Sequence, residues 1–291
     1  MHGDVLKEAV RQLTARLREK LETTQGGVGT FADHALLGLL SQLDAFGAEV
    51  AWEQGVAELA ATAEGLKEGL QRLQGLAARQ AQGRFVDYDA RARDTGLHGS
   101  SDLSYFELAM SQGTTECLRW RGLPLFKTVY DFALYPMLVH ELRPRTVIEL
   151  GSGTGASALW LADVLVMHGT GAQVHSLDVT PPDVSHERVR FIQGDCRAIE
   201  AALPPASLAG LAHPWLVIED AHVNVHGVLA YLHEHAAGGD YVIVEDSAGK
   251  QEELAQFLNA RPGCYRVDTR YTDFFGRNAT CAQDSILVRS S

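Results

Sequence analysis

Cysteine is scarce and scattered in this chain of 291 residues. The four cysteines form no CxxC pair and no zinc-type spacing; they are Cys117, Cys196, Cys264 and Cys281. This excludes a disulfide framework and a thiolate-bound metal, so we expect reduced thiols. Long apolar runs are also missing. None approaches the roughly 18 residues of a membrane span, and the N-terminus carries charge where a signal peptide needs apolar residues. The expectation is a soluble, cytoplasmic protein.

Positive charge is in short supply as well. Lys and Arg number 25 against 37 Asp and Glu, which gives a formal net charge of -12 and a pI of about 5.4. No local basic cluster offsets this excess, so the chain repels phosphate backbones and anionic membrane surfaces. Nucleic acid and membranes are therefore not expected as partners, and a small molecule is.

Proline is absent between residues 31 and 80, where Ala, Leu, Glu and Gln dominate, and this composition favours two or three helices. Residues 4–23 have apolar side chains at helical spacing with charges between them, which predicts an amphipathic helix. We predict that residues 1–81 form a helical segment, either a cap or an oligomerisation arm, and we expect a homo-oligomer through these helices. Residues 82–117 are predicted to be a connector or an active-site lid.

Beyond residue 120, short apolar runs alternate with helical stretches, which is typical of a parallel sheet with crossover helices. The predicted strands cover residues 146–150, 173–178, 189–195, 214–220, 240–246, 265–271 and 285–289. The last two lie close together, so at least one is expected to run antiparallel at the sheet edge, an ending that favours a methyltransferase over a dehydrogenase. The predicted fold is α/β: a Rossmann-like sheet of about seven strands over residues 118–291, preceded by the helical appendage.

A glycine-rich turn, Gly151-Ser152-Gly153-Thr154-Gly155, follows the first of these strands and precedes a helical stretch. Glycine lets the backbone turn sharply and approach a ligand closely, and the helix start offers free N–H groups. This context predicts a nucleotide-like ligand. The spacing differs from GxGxxG, which disfavours a dinucleotide. S-adenosylmethionine, which has no phosphate, fits better, with contacts from the first three residues of the turn.

Three acidic residues precede the turn or end the next strands. Asp178 ends the second strand, 23 residues after Gly155, where a carboxylate can accept hydrogen bonds from both ribose hydroxyls. Asp195 ends the third strand and is expected to contact the adenine edge, although an Asp there is also an ordinary helix N-cap. Glu149, just before the turn, is expected to orient the methionine ammonium; the alternative is that it satisfies nearby backbone amides.

Carboxylates recur at the ends of the fourth and fifth strands. PWLVIEDAH and DYVIVEDS each finish an apolar strand with Glu-Asp, which brings Glu219, Asp220, Glu245 and Asp246 to the edge where open α/β sheets bind ligands. Oxygen ligands of this kind select Mg²⁺, Ca²⁺ or Mn²⁺. The pattern predicts a divalent metal that binds an acceptor hydroxyl and lowers its pKa. The alternative is that each pair caps the following helix.

A histidine close to the first of these pairs is the candidate catalytic base. His222 lies two residues after Asp220, and the ordinary pKa of histidine is near the working range of such a base. His226 lies nearby and the chain has 12 histidines, so a surface histidine in a loop is the alternative. His222 ranks first because it is nearest to the carboxylates.

The motifs, taken in order, resemble a known family. The segment LRWRGLPLFKTVYDFALYPMLVHELRPRTVIELGSGTGASALWLAD is followed by SLDV, QGDC, IEDAH, YVIVED and NATCAQDSILVR. Over about residues 118–291 they resemble the cephalosporin hydroxylase/rhamnosyl O-methyltransferase family of S-adenosylmethionine-dependent methyltransferases from natural-product pathways. The resemblance implies a class I methyltransferase fold with cofactor contacts at Glu149, Gly151, Gly153 and Asp178. It also implies a Mg²⁺ site formed by Asp220, Glu245 and Asp246.

The chain departs from the family pattern at two points. The helical segment before residue 82 is longer than the usual lead-in, and the acidic Glu219 beside Asp220 leaves the first metal ligand open. The segment RWRGLPLFK, with Trp120, Arg121 and Lys127, resembles a family lead-in that closes over the cofactor, and surface packing is the alternative.

The leading interpretation is a Mg²⁺-assisted O-methyltransferase that acts on a hydroxyl of a small natural product, of the sugar or phenol type. One alternative is a metal-independent or N-directed methyltransferase, in which the carboxylates bind a substrate amine. Another is a non-catalytic cofactor-binding subunit whose N-terminal helices recruit a partner. An NAD-dependent oxidoreductase is disfavoured by the glycine spacing and by the antiparallel end of the sheet.

Overall fold

The computed structural model describes residues 83–93 and 95–290 and, before them, four isolated residues. These four are Glu8, Arg11, Gln12 and Ala15. By its internal contacts the chain divides into two units, Met1–Gln82 and Gly83–Ser291. The predicted N-terminal helices, and their role as cap or oligomerisation arm, lie almost entirely outside the described residues. None of the helices in the described part has the length and apolar character needed to cross a bilayer.

The described residues of the second unit form ten strands and nine α-helices. The strands are β1 (Phe85–Val86), β2 (Arg119–Trp120), β3 (Leu123–Pro124), β4 (Thr146–Leu150), β5 (Gln173–Asp178), β6 (Val189–Gln193), β7 (Trp215–Glu219), β8 (Tyr241–Val244), β9 (Tyr265–Asp268) and β10 (Ile286–Arg289). The helices are α1 (Tyr88–Arg91), α2 (Tyr105–Met110), α3 (Val129–Leu142), α4 (Ala156–Met167), α5 (Ile199–Ala202), α6 (Pro205–Leu208), α7 (Val225–His233), α8 (Gln251–Asn259) and α9 (Thr269–Thr272).

Eight of the strands build one sheet, in the order β1-β9-β10-β8-β7-β4-β5-β6. Strands β4 to β8 run parallel. Strand β10 pairs antiparallel with both β8 and β9, and β1 pairs antiparallel with β9. All seven predicted strands are present, and the predicted antiparallel ending is confirmed. The predicted Rossmann-like α/β fold is therefore confirmed.

The strand predicted over residues 265–271 ends earlier than the sequence indicates. Residues 265–271 are rich in β-branched and aromatic residues, but the strand ends at Asp268. The Asp268 carboxylate accepts a hydrogen bond from the backbone N–H of Arg270 (3.1 Å) and begins α9 as its N-cap. A capping interaction thus outweighs the strand propensity of the following residues.

The segment that follows Gln82 contributes a strand to the sheet, and the connector or active-site lid predicted over residues 82–117 stays a prediction. Phe85–Val86 forms the edge strand β1 and pairs with β9. The buried Arg91 at the end of α1 forms ion pairs with Asp273 (2.7 Å) and Asp284 (2.6 Å). The first residues of this segment are therefore fixed to the loop before β10.

Apolar residues alternate between the two faces of the central strands. In β4, Val147 packs into the cluster that includes α3 and α4, whereas Ile148 packs into the cluster on the opposite face, which includes α7 and α8. Leu216 and Val217 of β7 divide in the same way. The sheet is covered on both faces, which explains why its parallel strands read as continuous apolar runs.

The order of the strands defines where a ligand binds. From β4 the chain moves outward to β5 and β6 and then returns to β7 on the other side of β4. Open α/β sheets bind ligands at the carboxyl ends of their strands, at the point where the strand order reverses. That point lies between β4 and β7, where the glycine turn and the first Glu-Asp pair follow their strands.

Candidate active site

A cavity of about 530 Å³ opens at the carboxyl ends of the central strands. Eight of the predicted site residues line it: Gly151, Ser152, Gly153, Asp178, Asp195, Asp220, His222 and Asp246. The two other predicted site residues, Glu149 and Glu245, are buried and are not part of its lining. The structure therefore gathers the predicted residues around one cavity but places two of them behind its wall.

The glycine turn follows a path that only small residues allow. Gly151 has φ 98°, and a Cβ atom there would lie 2.6 Å from the carbonyl oxygen of Asp220. Gly155 has φ 81°, and a Cβ atom there would lie 2.8 Å from Val184. Gly153 also has a positive φ, but a Cβ atom at this position would meet nothing within 4 Å. Gly151 thus lets β4 approach β7, while Gly153 leaves open space toward the cavity.

Glu149 is fully buried and has an unused acceptor atom. Its Oε2 accepts a hydrogen bond from Ser176 (2.5 Å), whereas its Oε1 has no hydrogen bond of ordinary geometry. Ser152 lies next to this pair, with its Oγ 2.6 Å from the Oγ of Ser176. Burial raises the pKa of Glu149, against the opposing effect of the Lys127 charge. A buried acceptor without a partner is uncommon in folded proteins and suits a ligand that brings a donor.

Asp178 is held in place by backbone donors. Its Oδ2 accepts a hydrogen bond from the N–H of Gly153 (3.0 Å), and its Oδ1 accepts one from the N–H of Thr180 (2.9 Å). An ionised carboxylate has about four acceptor positions, so two remain for a ligand. The carboxylate is thus oriented at the cavity wall with capacity for further hydrogen bonds.

Asp195 lines the cavity and also caps a helix. Its Oδ1 accepts a hydrogen bond from the N–H of Arg197 (2.8 Å) at the start of the 3₁₀ helix Cys196–Ala198. The capping alternative raised by the sequence is therefore observed. The position of Asp195 in the cavity wall leaves its predicted contact with adenine as a prediction.

Asp220, His222 and Asp246 come together at one side of the cavity. One ligand atom from each residue lies within 4.8 Å of the others. The His222 Nε2 is 3.2 Å from the Asp220 Oδ1 and 3.5 Å from the Asp246 Oδ2. His222 and Asp246 both have positive φ angles, 58° and 48°, so the two loops turn sharply where these side chains project. The hydrogen bond with Asp220 raises the pKa of His222.

Glu245 lies outside that group of three. It is buried, its Oε2 accepts a hydrogen bond from the Lys127 Nζ, and its Oε1 accepts one from the Tyr135 hydroxyl. Burial raises the pKa of Glu245, and the Asp220 charge raises it further, against the charge of Lys127. The predicted role of Glu245 as a metal ligand stays a prediction.

Lys127 lies between the carboxylates of Asp220 and Glu245. Its side chain is 2% exposed, and its Nζ lies 3.1 Å from the Asp220 Oδ2. Burial lowers the pKa of Lys127, but the charges of Asp220 and Glu245 outweigh this and raise it well above its ordinary value. Burial raises the pKa of Asp220, and the charge of Lys127 reverses that effect, so the net pKa is below the ordinary value. The pair of Lys127 and Asp220 therefore consists of an ammonium and a carboxylate.

Glu219, the first residue of the first Glu-Asp pair, points away from the cavity. It is fully buried, and its Oε2 accepts a hydrogen bond from the Lys250 Nζ (2.9 Å). Its Oε1 accepts hydrogen bonds from the backbone N–H groups of Ala221 (3.1 Å) and His222 (3.2 Å). Glu219 shapes the loop that presents His222, and Asp220 is the residue of this pair that lines the cavity.

The segment before α3 forms another part of the cavity wall. Strands β2 and β3 pair as a hairpin. The Trp120 indole N–H donates a hydrogen bond to Asp163 of α4 (2.8 Å), and the Arg121 guanidinium binds the same carboxylate (2.6 Å). The residues after the turn, from Pro124 to Lys127, line the cavity. The hairpin is thus packed on α4, and the chain that follows it reaches the site.

The sequence points to Lys127 only as part of a family lead-in, and it does not point to Tyr135 or Lys250. Lys127 is 93 residues from Asp220 along the chain, and Tyr135 is 110 residues from Glu245. The one available signal for Lys127 is its position in the apolar run LPLFKTVYDF, since a lysine in a buried segment needs an anionic partner.

The family model for rhamnosyl O-methyltransferase/CmcI matches residues 112–270, more than half of the chain. The chain belongs to this family. The family predicted from the motifs is therefore confirmed, and the chain is a methyltransferase.

Individual relatives agree with this assignment. A rhamnosyl O-methyltransferase of Mycobacterium leprae (strain TN) is 30% identical over 191 residues, which cover 58% of this chain and 82% of that protein. A solved structure of CmcI with SAH is 26% identical, with a TM-score of 0.51, and the match covers 65% of this chain and 87% of that one. A solved structure of CmcI with Mg and SAM is 23% identical, with a TM-score of 0.51, and covers 73% and 100%. At that identity it shows a common fold alone.

Proposed function

We propose that this S-adenosylmethionine-dependent methyltransferase transfers a methyl group to a hydroxyl oxygen of a small natural product, of the sugar or phenol type, with the assistance of Mg²⁺. One observation carries the proposal. A glycine turn suited to the methyl donor and a group of side chains suited to a divalent cation line the same cavity. Holding donor and acceptor side by side in this way removes much of the entropic cost of bringing two reactants together.

The cavity and its surroundings fit the methyl donor at three points. Glu149 lies behind the cavity wall, and its unused Oε1 would orient the donor's ammonium group through an intervening water. Asp178, oriented by backbone N–H groups, would accept hydrogen bonds from the ribose hydroxyls. Gly153 leaves room for the ligand to approach the backbone. The CmcI relative solved with SAH supports this use of the cavity.

The second group fits a divalent cation. Ligand atoms about 2.0 to 2.6 Å from a common ion lie within roughly 5 Å of one another. The atoms offered by Asp220, His222 and Asp246 meet that condition. Two carboxylates provide the hard oxygen ligands that Mg²⁺, Ca²⁺ and Mn²⁺ prefer. These three residues would hold the cation, and Glu245, which shares the Lys127 contact with Asp220, would complete the predicted set of ligands.

When bound, the methyl donor supplies an electrophilic methyl group, and the cation supplies positive charge that lowers the pKa of an acceptor hydroxyl. The residues of the chain orient these groups. Glu219 fixes the loop that carries His222, and residues 124–127 form part of the wall around the bound groups. The role of His222 as catalytic base stays a prediction, because its Nε2 is also the atom that faces both carboxylates.

The size and lining of the cavity support a small acceptor. Its volume of about 530 Å³ lies in the range of roughly 300 to 1,000 Å³ that is typical of small-molecule sites. Phe126, which is 61% exposed, is part of its lining. An exposed aromatic face beside polar ligands suits a ring-shaped acceptor that carries hydroxyl groups.

The first experiment is calorimetry of S-adenosylmethionine binding to the wild type and to Asp178→Ala, with and without Mg²⁺. We expect micromolar binding to the wild type and a loss of at least about tenfold in the variant. Asp183→Ala, which removes an exposed carboxylate from the loop after β5, is the control and should bind like the wild type. Equal affinity of all three proteins would overturn the predicted ribose contact, and no binding to any would overturn the assignment of the cavity to the donor.

Methyl transfer to a panel of hydroxylated sugars and phenols tests the acceptor and the metal. We expect a methyl ether product, activity that a chelator removes, and recovery when Mg²⁺ is added. Activity that persists after exhaustive chelation would contradict metal assistance while leaving methyl transfer in place.

One observation favours an N-directed methyltransferase as the second candidate. Asp220 and Glu245 already bind an ammonium group, that of Lys127, so a substrate amine has the charge to fit beside Asp246. Amine acceptors that are methylated in the presence of a chelator, with no transfer to hydroxyl compounds, would establish this alternative.

A further inference from the structure

The ammonium group of Lys127 lies between two carboxylates of the cavity. Its Nζ contacts the Asp220 Oδ2 at 3.1 Å and donates a hydrogen bond to the Glu245 Oε2. The lysine directly precedes Thr128, which caps α3 by accepting a hydrogen bond from the N–H of Asp131 (3.0 Å). The backbone that carries Lys127 is therefore fixed, and its side chain extends from a rigid point into the cavity wall.

Both oxygens of Asp220 already face nitrogen atoms. The Oδ1 lies 3.2 Å from the His222 Nε2, and the Oδ2 lies 3.1 Å from the Lys127 Nζ. Each oxygen of Glu245 also has one contact, with the Lys127 Nζ or with the Tyr135 hydroxyl. A divalent ion held between Asp220 and Glu245 would take the position between their facing oxygens that the Lys127 Nζ now occupies.

The balance of charge also indicates that Lys127 and a metal ion would fill the same role. Asp220, Glu245 and Asp246 place three carboxylates close together, and like charges in a partly buried site are costly unless a cation balances them. Lys127 is the buried cation that contacts two of the three. It balances part of the charge that a metal would otherwise balance.

We propose that Lys127 is the internal cation of this site, and that it competes with the divalent metal for Asp220 and Glu245. Metal binding then requires the Lys127 ammonium to leave at least one of these carboxylates. The lysine keeps the carboxylates in place without metal and weakens metal affinity, which makes it a positioning residue for the metal site. This inference rests on the proposed metal assistance.

The test measures Mn²⁺ binding to the purified full chain by calorimetry and by electron paramagnetic resonance. In Lys127→Met, we expect Mn²⁺ to bind about tenfold more tightly than to the wild type, because the competing cation is gone. Lys127→Arg keeps the charge and should stay within about threefold of the wild type. A residue with a purely structural role would leave affinity unchanged or reduce it.

The double variant Glu219→Gln/Lys250→Met is the matched control, because it also removes a buried lysine, here paired with the last residue of the neighbouring strand, and leaves no unpaired carboxylate. Its glutamine keeps a side-chain oxygen that can accept the hydrogen bond from the His222 backbone. Lys250 is not part of the cavity lining, so Mn²⁺ affinity should change less than about threefold. Equal affinity of the wild type and Lys127→Met would overturn the competition and leave the metal site intact. Failure of both to bind Mn²⁺ would overturn the metal site itself, and with it this inference.

A second measurement covers the case in which Lys127→Met does not fold. In a crystal structure of the wild type with Mn²⁺, the Lys127 Nζ should have lost its contact with Asp220 or with Glu245. A bound Mn²⁺ ion with both lysine contacts retained would overturn the proposal.

Discussion

At the scale of single residues, the two Glu-Asp pairs follow the same plan. In each pair the glutamate is buried and bound to a lysine: Glu219 to Lys250 and Glu245 to Lys127. The aspartate that follows lines the cavity and faces His222. Side chains alternate in direction at the end of a strand, so one residue of each pair points inward and the next points toward the ligand. The repeated motif therefore combines a supporting charge with an exposed ligand.

The supporting role of Glu219 gives a prediction of stability. Glu219→Gln leaves the buried Lys250 without a carboxylate, and breaking a buried ion pair from one side costs about 3 to 5 kcal/mol. We expect a fall of that size in the free energy of unfolding, measured with urea. The double variant Glu219→Gln/Lys250→Met should recover more than about 1 kcal/mol, because no unpaired charge remains. A double variant no more stable than the single one would contradict this account.

The sequence identified the aspartates of the site more completely than the partners of the glutamates. A Glu-Asp pair at the end of an apolar run can be recognised within a few residues, since the strand itself is a local pattern. The contacts of Lys127 with Asp220 and of Tyr135 with Glu245 join positions far apart in the chain. No local pattern encodes such contacts, and both Glu-Asp residues look equivalent until the pleat of the strand is known.

At the scale of elements, the hairpin of β2 and β3 connects α4 to the glycine turn. Trp120 and Arg121 hold the hairpin to Asp163. The carbonyl oxygen of Pro124, at the end of the hairpin, accepts a hydrogen bond from the Thr154 hydroxyl (2.7 Å). The hairpin thus supports the glycine turn from the side of the cavity. It is the structure that the predicted lead-in segment adopts.

This connection predicts that loosening the hairpin weakens donor binding. Asp163→Asn removes the charge that binds Arg121, and we expect S-adenosylmethionine to bind roughly threefold to tenfold more weakly in calorimetry. The exposed Glu187→Ala serves as control and should not change binding. An unchanged affinity in a folded Asp163→Asn protein would show that the hairpin does not support the turn.

The same anchor has a defined pH dependence. The hydrogen bond from Arg121 lowers the pKa of Asp163. A carboxylate with a depressed pKa in the folded state stabilises it at every pH above the ordinary Asp value, about 3.9. That stabilisation is lost as the pH falls through the lower, folded pKa. The His186 Nε2 also lies 3.4 Å from the Asp163 Oδ1, so the comparison is made above the range in which histidines ordinarily titrate. The difference in binding between the wild type and Asp163→Asn should be the same at pH 8 and pH 9.

Long elements were predicted well and short ones were not. The parallel strands are buried on both faces, so their apolar runs stand out in the sequence. Strand β1 has two residues and α9 has four. Periodicity cannot identify elements of that length, and they form because of a sheet edge and a capping aspartate that only the folded chain provides.

At the scale of the whole molecule, residues 83–117 belong to the methyltransferase unit. Strand β1 pairs with β9, and Arg91 neutralises Asp273 and Asp284 in the loop before β10. Every described residue that lines the cavity lies in Gly83–Ser291. The unit should therefore be complete only when it begins near Gly83.

Two truncations test this boundary. A chain that starts at Gly83 should unfold in one cooperative transition with urea and bind S-adenosylmethionine within about threefold of the full chain. A chain that starts at residue 118 loses Arg91 and leaves two buried carboxylates unpaired, so we expect it to be at least about 3 kcal/mol less stable or insoluble. Equal stability of the two truncated chains would contradict the boundary.

Sedimentation of the full chain and of the chain that starts at Gly83 tests the predicted role of the N-terminal helices. We expect an oligomer for the full chain and a smaller species for the truncated one. The same molecular state for both would favour the cap over the oligomerisation arm.

The position of β10 also affects how the protein is synthesised. Strand β10 inserts between β8 and β9, yet its residues are translated after those of every other strand in the sheet. Until they leave the ribosome, the edges of β8 and β9 have no partner, and unpaired edges of this kind promote association between chains. A product that ends shortly before β10 would therefore expose two unpaired strand edges and be prone to aggregation.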